Sequence, residues 1–412
     1  MSNLTYPPNL KPISNTGLPV NSSGVLFDGI LMNNGVISKT INIPAGNHYA
    51  YSDTAIYLEI GNKAFSIPAN TLTNINISIS EKSRVNINSV FFVNTQTPTT
   101  WAASTFSFSN TQGFGSVSWG PAGFVLRPYN GTDGGISTDG LTWTRVSSVN
   151  TFATASQDKY VTMGFNGNYI PQYSTDGVNW QNGTGVSASL NNYSRSIAYG
   201  SNKFVAIGYM SGINTYIPAL TSTDGIAWTY TTYPVSAPGA GSVSFGPMTY
   251  GNGVYFAADS TLNKNRGVST TDGVTWTYRT LPSSTNWSAS AFGNGTFVIL
   301  SGYSNPSADA AISTNAVTWT KTTLPSNVFW NGLAYGNGLF VATGNSTSAI
   351  STNGVSWTTI AMPSSIVYGP TAYGAGKFIS VYNANGVAAY LSAPKPSSPI
   401  QFGLYQGPKA VF

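Results

Sequence analysis

A short phrase that recurs along the chain constrains its fold more than any other feature. Its first full copy, residues 137–143, reads Ser-Thr-Asp-Gly-Leu-Thr-Trp, and five later copies follow it. A degenerate copy over residues 95–101 precedes them all. The copies end at tryptophans spaced 42, 37, 48, 48, 43 and 38 residues apart: Trp101, Trp143, Trp180, Trp228, Trp276, Trp319 and Trp357. A period of roughly 40 to 50 residues is that of a four-stranded β-propeller blade.

The residues of each full copy predict a strand, a tight turn and a second strand. Asp-Gly and Asn-Gly between strand-like runs favour a hairpin turn, because both residues tolerate positive φ. The Asp or Asn side chain can also accept hydrogen bonds from amides of its own turn, and the tryptophan that follows is expected in the core. We call these six copies the box turns, after their central residues Asp139, Asp176, Asp224, Asp272, Asn315 and Asn353.

The box turns resemble the Asp-box, or BNR repeat, of sialidase-like β-propellers. The usual spacing of that repeat is Ser-x-Asp-x-Gly-x-Thr-Trp, whereas here the Gly follows the Asp directly and Asn replaces Asp in two copies. The resemblance covers roughly residues 95–393. It implies a propeller in which these turns are structural and lie on the face away from any active site.

A second repeated phrase, an aromatic residue followed by Gly, precedes the box turns. A blurred copy lies near residues 157–160, and the last copy has no box turn after it. Residues 373–391 and the segment near 99–106 therefore complement each other as the inner and outer strands of one closing blade. The prediction is a seven-bladed ring without free sheet edges. The six clear copies begin at Trp119, Tyr199, Tyr250, Phe292, Tyr335 and Tyr373.

Outside the propeller the chain divides into three further segments. Residues 1–24 are proline-spaced and predict an extended arm. Residues 25–94 contain short apolar runs, several with period two, which predict a small β-sandwich. Residues 394–412 begin with a proline-rich stretch and predict an extended tail. The expected fold class is all-β, with a propeller over residues 95–393.

Composition excludes several classes of function. The chain has no cysteine and one histidine, so thiolate and histidine-cluster metal sites are not expected, and no cofactor is predicted. Its net charge of +5 is spread over 17 basic residues without a run of them, which argues against a nucleic-acid surface. No signal sequence and no stretch of about 18 apolar residues is evident, so we expect synthesis in a cytoplasm and no membrane insertion.

A set of aromatic residues shortly before the aromatic-Gly phrases forms the candidate binding site. These residues open the innermost strands and would form a ring near the central channel. They could stack on an uncharged glycan, aided by neighbouring Asn, Ser and Thr, or they could simply pack against the blade connections. Both alternatives stay open at this point. The set comprises Phe114, Phe152, Tyr193, Phe245, Trp287, Trp330 and Tyr368.

The acid content argues against catalysis. Sialidase activity in the resembled family needs an arginine cluster, a Tyr/Glu pair and an acid Asp, but no glutamate occurs after residue 95. A glycosidase with two carboxylates would need two of the aspartates outside the box turns to converge. We therefore expect a non-enzymatic protein and keep a glycan hydrolase as an alternative. Those aspartates are Asp133, Asp158, Asp259 and Asp309.

The combination of arm, small β module and propeller, rich in Asn, Ser, Thr and Gly, resembles bacteriophage virion proteins. That resemblance implies attachment to other virion proteins through residues 1–94 and a propeller that meets a host-surface glycan, as in a tail fibre. A capsid or tail decoration protein with a stabilising role is an alternative. A homo-oligomer is left open, because no coiled-coil or collagen-like repeat is present.

Overall fold

In the computed structural model every described secondary-structure element is a β-strand. None of the described residues belongs to a helix that is long and apolar enough to cross a membrane. The structure describes residues 24–31, 36–43, 46–52, 56–60, 63–67, 73–77, 81–89, 100–106, 113–128, 133–147, 151–156, 158–164, 170–186, 194–210, 216–234, 243–261, 264–302, 304–382, 387–392 and 400–406. The predicted arm over residues 1–24 lies outside these ranges except for Gly24.

The chain divides into two compact units, of which the smaller combines residues 1–98 with residues 393–412. Its strands, numbered along the chain, are β1 (Gly24–Leu31), β2 (Val36–Ile43), β3 (Gly46–Ser52), β4 (Ile56–Ile60), β5 (Lys63–Ile67), β6 (Thr73–Ile77), β7 (Glu81–Ser89) and β36 (Ile400–Gln406). They form two antiparallel four-stranded sheets, ordered β1-β36-β3-β6 and β2-β7-β4-β5. We call this the small unit.

Strand β36 corrects the prediction for residues 394–412. That segment was expected to be an extended tail, but residues 400–406 pair with β1 on one side and β3 on the other. Its partner strands lie near the other end of the sequence, so the local sequence pattern could not predict the pairing.

The second unit, Thr99–Ser392, contains seven four-stranded antiparallel blades and confirms the predicted propeller. Blade 1 comprises β9 (Phe114–Gly120), β10 (Gly123–Pro128), β11 (Asp133–Ser137) and β12 (Thr144–Ser147). Blade 2 comprises β13 (Thr151–Ser156), β14 (Tyr160–Gly164), β15 (Gln172–Ser174) and β16 (Gln181–Asn182). Blade 3 comprises β17 (Ser194–Gly200), β18 (Lys203–Met210), β19 (Tyr216–Ser222) and β20 (Thr229–Pro234).

The remaining blades repeat this order. Blade 4 comprises β21 (Val243–Gly251), β22 (Val254–Asp259), β23 (Lys264–Thr270) and β24 (Thr277–Thr285). Blade 5 comprises β25 (Trp287–Gly293), β26 (Thr296–Ser301), β27 (Ser307–Ser313) and β28 (Thr320–Val328). Blade 6 comprises β29 (Trp330–Gly336), β30 (Leu339–Gly344), β31 (Thr347–Ser351) and β32 (Thr358–Ala361). Blade 7 comprises β33 (Tyr368–Gly374), β34 (Lys377–Tyr382), β35 (Val387–Ser392) and β8 (Ala102–Thr105).

Blade 7 closes the ring in the predicted way. Strand β8, which precedes blade 1 in sequence, pairs with β35 from Val387↔Thr105 to Tyr390↔Ala102. Each innermost strand lies beside the next, and β33 of blade 7 lies beside β9 of blade 1. The propeller is therefore a closed ring in which strands from both ends of the unit share one sheet.

A contact between an aromatic ring and a glycine joins successive blades. The glycine that ends an innermost strand packs against an aromatic side chain of the next blade, so that a methyl group on the glycine would overlap the ring. Blade 7 meets blade 1 in the same way, so the contact is present at six of the seven junctions; the exception is the junction of blade 2 with blade 3, where the innermost strand ends at Ser156. The pairs are Gly120 with Tyr160, Gly200 with Tyr250, Gly251 with Phe292, Gly293 with Tyr335, Gly336 with Tyr373 and Gly374 with Trp119.

A second aromatic residue begins the next strand of every blade and is at most 1% exposed. It packs on the aromatic residue that begins the aromatic-Gly phrase of its own blade. Tyr255, for example, packs on Tyr250 with their ring centroids 4.5 Å apart. In six blades it follows the aromatic residue of the aromatic-Gly phrase by five residues, a spacing that is also visible in the sequence. The seven residues are Phe124, Tyr160, Phe204, Tyr255, Phe297, Phe340 and Phe378.

The outer edges of the blades are short or contain proline. Strands β8, β12, β16 and β32 have two to four residues. The longer edge strands β20, β24 and β28 carry Pro234, Pro282 and Pro325. Because proline has no N–H to offer a foreign strand, these edges are poor templates for pairing with another chain.

We predict that Gly293→Ala destabilises the propeller by about 3 kcal/mol, because the added methyl group overlaps the Tyr335 ring. Gly295→Ala is the matched control: no atom lies within 4 Å of its added methyl group, but its φ is +71°. The control should cost only about 1 kcal/mol, from the left-handed backbone. Urea denaturation of both variants measures the difference, and equal costs would show that the ring contact carries no steric constraint.

Candidate functional site

The antiparallel order of each blade sorts its connections onto two faces. The aromatic-Gly turns and the box turns lie at one end of the strands, and we call this end the box face. The connections between second and third strands, and those between blades, lie at the other end, the loop face. Loops on a rigid scaffold are the usual place for binding, so the loop face is the first place to look for a site.

The box turns are held by hydrogen bonds within each turn. In blade 3 the amides of Ile226 and Ala227 donate to Asp224 Oδ1 at 2.8 and 2.9 Å, and the Ser222 hydroxyl donates to the same oxygen at 2.9 Å. Gly225, at φ +72°, donates its amide to Ser222 Oγ. The amide and hydroxyl bonds to the central oxygen recur at Asp139, Asp176, Asp272, Asn315 and Asn353. These residues serve as turn-forming acceptors, as the sequence predicted.

These hydrogen bonds shift the titration of the box carboxylates. Partial burial raises the pKa of Asp272, but the amides of Thr275 and Val274 and the hydroxyl of Thr270 outweigh it and lower the pKa to about 2. The same balance lowers the pKa values of Asp139 and Asp224, each with help from a lysine. The carboxylate form is therefore the one that supports the turn.

Lysines from the preceding blade accompany three of the four aspartate box turns. Each lysine directly precedes a buried second-strand aromatic. Lys377 lowers the pKa of Asp139, Lys159 lowers that of Asp224, and Lys203 Nζ donates to the Asp272 carbonyl at 3.0 Å. The two asparagine box turns, by contrast, follow blades whose corresponding residues are Val254 and Thr296. Charge on a box turn thus goes with charge on the preceding blade except at Asp176, where the corresponding residue of blade 1 is Gly123.

The aromatic residues proposed as a glycan platform are buried wherever their side chains are described. Trp287, Trp330, Tyr368 and Phe245 are 0% exposed and Phe114 is 1% exposed. The side chain of Phe152 and the whole of Tyr193 lie outside the described residues. A stacking platform needs a free ring face, so this burial supports the packing alternative.

Each of these aromatics fills the space between its own blade and the preceding one. Trp287 clusters with Leu281 of blade 4, and Trp330 with Leu324 of blade 5. The Trp330 indole also donates to the Ser326 carbonyl of blade 5 at 3.1 Å. Both leucines are followed by proline, so the end of an edge strand supplies the apolar partner. The described members of the aromatic set therefore pack between neighbouring blades.

The loop face departs from the repeat most strongly at blades 3 and 4. Strand β18 runs past its own blade, and Tyr209 and Met210 pair with Ser244 and Val243 at the start of β21. The two blades therefore form one eight-stranded sheet, whereas each of the other described blades is a separate four-stranded sheet. Strand β21 has nine residues and an irregular register between Phe245 and Met248. We call this region the blade 3–4 rim.

A buried carboxylate holds the rim in place. Asp259, 0% exposed, accepts two hydrogen bonds from Arg266, with Nε at 2.9 Å and Nη2 at 2.7 Å. Its other oxygen accepts the amide and hydroxyl of Thr261 at 2.9 and 2.6 Å and the Ser244 amide at 3.5 Å. Because both oxygens are engaged, Asp259 acts as a structural acceptor that ties β21, β22 and β23 together.

The neighbouring polar groups extend this network into blade 5. Ser260 donates its amide to the Ser244 carbonyl at 2.7 Å. The buried side chain of Asn286 donates to the Ser260 carbonyl at 3.1 Å. The Asn286 amide also donates to Ser304 Oγ at 3.5 Å, and Asn265, Ser304 and Asn305 are exposed on the loop face. The result is a fixed scaffold under an exposed polar surface, which suits binding through hydrogen bonds.

The other aspartates outside the box turns are also ion-paired. Asp133 meets Arg145 at 2.6 Å in blade 1, and Asp309 meets Lys321 at 2.8 Å in blade 5. Asp158 lies 3.4 Å from the neighbouring Lys159 in blade 2. Among the described residues no group of three or more His, Cys, Asp or Glu is placed to hold a metal ion. The four carboxylates of the hydrolase alternative thus lie in four blades, each beside a cation.

The roles of two arginines were not predicted from the sequence. Arg266 is one of five propeller arginines, and its partner Asp259 replaces the Gly or Ser found at the same place in blades 2, 3, 5 and 6. That departure could have identified the pair. Arg127 is 0% exposed and lies 4.0 Å from the Trp180 ring centroid, and burial lowers its pKa to about 9. It stands where other blades have residues such as Met163 and Ile207.

Comparisons with solved structures agree on the architecture. A structure titled "YCF48 bound to D1 peptide" aligns with a TM-score of 0.53 and 16% identity, covering 72% of this chain and 96% of that chain. A second, titled "Streptogramin B lyase structure", aligns with a TM-score of 0.54 and 12% identity, covering 74% and 97%. At these identities the likeness shows the propeller fold alone. No protein-family model and no curated protein sequence matches the chain.

We predict that Asp272→Asn lowers the free energy of unfolding by about 1 kcal/mol at pH 7, since a charged acceptor becomes neutral. The folded pKa of Asp272 is depressed to about 2, so its contribution is present above the unfolded value of about 4 and disappears as pH falls to 2. The difference between the two proteins, measured by urea denaturation from pH 7 to pH 2, should shrink over that window. The converse variant, Asn315→Asp, should gain stability above pH 4 only.

We predict that Asp259→Ala destabilises the propeller by about 3 kcal/mol, because Arg266, whose side chain is only 14% exposed, loses its counter-charge. The double variant Asp259→Ala/Arg266→Ala should be less damaging than the sum of the single variants. A double-mutant cycle by urea denaturation measures this coupling. A cost below about 1 kcal/mol for Asp259→Ala would contradict a structural role for the pair.

Proposed function

We propose that this chain is a non-enzymatic binding protein of a bacteriophage particle, in which the small unit attaches to other particle proteins and the propeller presents its loop face to a host-surface glycan. The observation that carries the proposal is the place where the chain enters and leaves the propeller. Strand β8 begins, and β35 ends, at the box face of blade 7, and both continue into residues of the small unit. Both connections therefore belong to one face, and the loop face carries neither.

Several features support a binding role for the loop face. The blade 3–4 rim is fixed by the Asp259–Arg266 pair and by Asn286, and its exposed surface is polar. A rigid polar surface loses little conformational entropy when it binds an uncharged ligand. One of the solved structures that share this fold is titled as bound to a peptide. This supports the use of a propeller as a scaffold for recognition. The buried aromatics are removed from this proposal, and recognition moves to the exposed polar loops.

The absence of catalysis is part of the proposal. Acid–base work by a carboxylate requires an oxygen that is free to exchange a proton with a substrate. Asp259 has both oxygens engaged, and Asp133, Asp158 and Asp309 each lie beside a cation. These contacts keep the carboxylates in structural pairs, which favours binding over glycan hydrolysis.

Binding of fluorescently labelled full-length protein to a panel of intact bacterial cells and their purified surface polysaccharides tests the proposal. The loop-face variant Asn265→Arg/Asn305→Arg places two long cations on exposed positions of blades 4 and 5. The matched box-face control is Val274→Arg/Val317→Arg, at residues 49% and 47% exposed in the same blades. We expect the loop-face variant to lose binding and the control to retain it.

Two results would count against the proposal. Binding that survives in the loop-face variant but disappears in the control would place recognition on the box face. Incorporation of the protein into particles, with no binding to any cell or polysaccharide, would favour the decoration role.

A further inference from the structure

The small unit contains one sheet whose strands come from two distant parts of the sequence. In the order β1-β36-β3-β6, three strands precede the propeller and the fourth, β36, follows it. Strand β36 is antiparallel to both neighbours, with seven residue pairs to β1 and five to β3. A strand from beyond the propeller thus occupies an interior position between two strands from before it.

Among the described strands, β36 is the only one that pairs with β1. Strand β3 keeps β6 as a second partner, but β1 pairs with β36 alone. Without β36, the N–H and C=O groups along β1 and along one edge of β3 would lose their hydrogen-bond partners. A lone β1 has no sheet to join, and the pair β3–β6 is only a two-stranded ladder, which is marginal in water.

The second sheet of the same unit provides an internal comparison. Its strands β2, β7, β4 and β5 all lie within residues 36–89, so this sheet needs nothing from beyond the propeller. Only one of the two sheets therefore requires a strand that follows the propeller in sequence. That strand is the seven-residue segment Ile400–Gln406.

We propose that the gap between β1 and β3 is a strand-binding site and that β36 is its ligand, supplied by the same chain. Recognition is by main-chain hydrogen bonds on both sides of an extended segment, the chemistry of β-strand addition. The sequence of β36, Ile-Gln-Phe-Gly-Leu-Tyr-Gln, places apolar residues at alternate positions, the pattern that such sites select.

The site links the small unit to the completion of the propeller. Because the whole propeller lies between β3 and β36 in sequence, the sheet of β1 and β3 closes only after the propeller has been synthesised. A chain that stops before residue 400 keeps an unfilled site. This inference rests on the strand order of the small unit alone and does not depend on the proposed function.

Hydrogen exchange on the full-length chain tests the proposal. Leu404 pairs with Phe27 of β1 and with Ala50 of β3, so Leu404→Pro removes a central N–H and disrupts the strand. We expect loss of amide protection in β1 and β3, with propeller amides unchanged. Ala410→Pro, beyond the last paired residue Gln406, is the matched control and should leave β1 protected.

A truncated chain ending at residue 399 provides the complementary arm. A synthetic peptide of residues 398–408, added in excess, should restore the protection of β1 and β3, and the same peptide carrying the Leu404→Pro change should not. Protection of β1 that persists in the truncated chain without peptide overturns the proposal, as does failure of the peptide to bind and restore it.

A second measurement covers the case in which both variants fail to fold. A protease site inserted between residues 393 and 399 of the intact chain is cut after folding. If β36 is a bound strand, it remains with the cut protein on a native gel and is released only by denaturant. Immediate release with unchanged protection of β1 overturns the proposal.

Discussion

The packing of an aromatic ring on a glycine of the preceding blade is the constraint on which the propeller depends. At each such junction the ring occupies the space that a Cβ atom on the glycine would fill. Any other residue in place of the glycine would displace the ring. The contact also runs from Gly374 of blade 7 to Trp119 of blade 1, so it is present at six of the seven junctions of the ring. The contact therefore sets how closely neighbouring blades approach at most junctions, including the one that closes the ring.

The box turns differ from these contacts between blades, because hydrogen bonds within each turn provide most of its stabilisation. The side-chain oxygen of Asp or Asn replaces the backbone acceptors that a tight turn lacks. Either residue can make these bonds, so the choice between them is free to follow the surroundings. Three aspartates have a lysine from the preceding blade, while the asparagines do not. Local geometry therefore fixes the turn, and the neighbouring blade influences its charge.

The sequence predicted the features that repeat and missed those that do not. Seven blades, the six box turns and the closing role of residues 99–106 followed from period and turn chemistry. The aromatics at the strand starts, such as Trp287, were correctly located but could not be assigned, because a sequence does not show what covers a ring. The pairing of β36 and the joining of β18 to β21 depend on distant partners. The Asp259–Arg266 pair was visible only as a departure from the repeat, and a consensus over the blades averages such departures away.

The emergence of both connections at one end of blade 7 has a mechanical consequence. A force that pulls on the two connecting segments loads the start of β8 and the end of β35 together and in the same direction. The load is shared by two covalent strands, and it does not peel one strand of the closing pair from the other. A propeller held by a single terminus would instead transmit the whole force through one strand and unzip its closing blade. The paired attachment makes this ring suited to bearing tension.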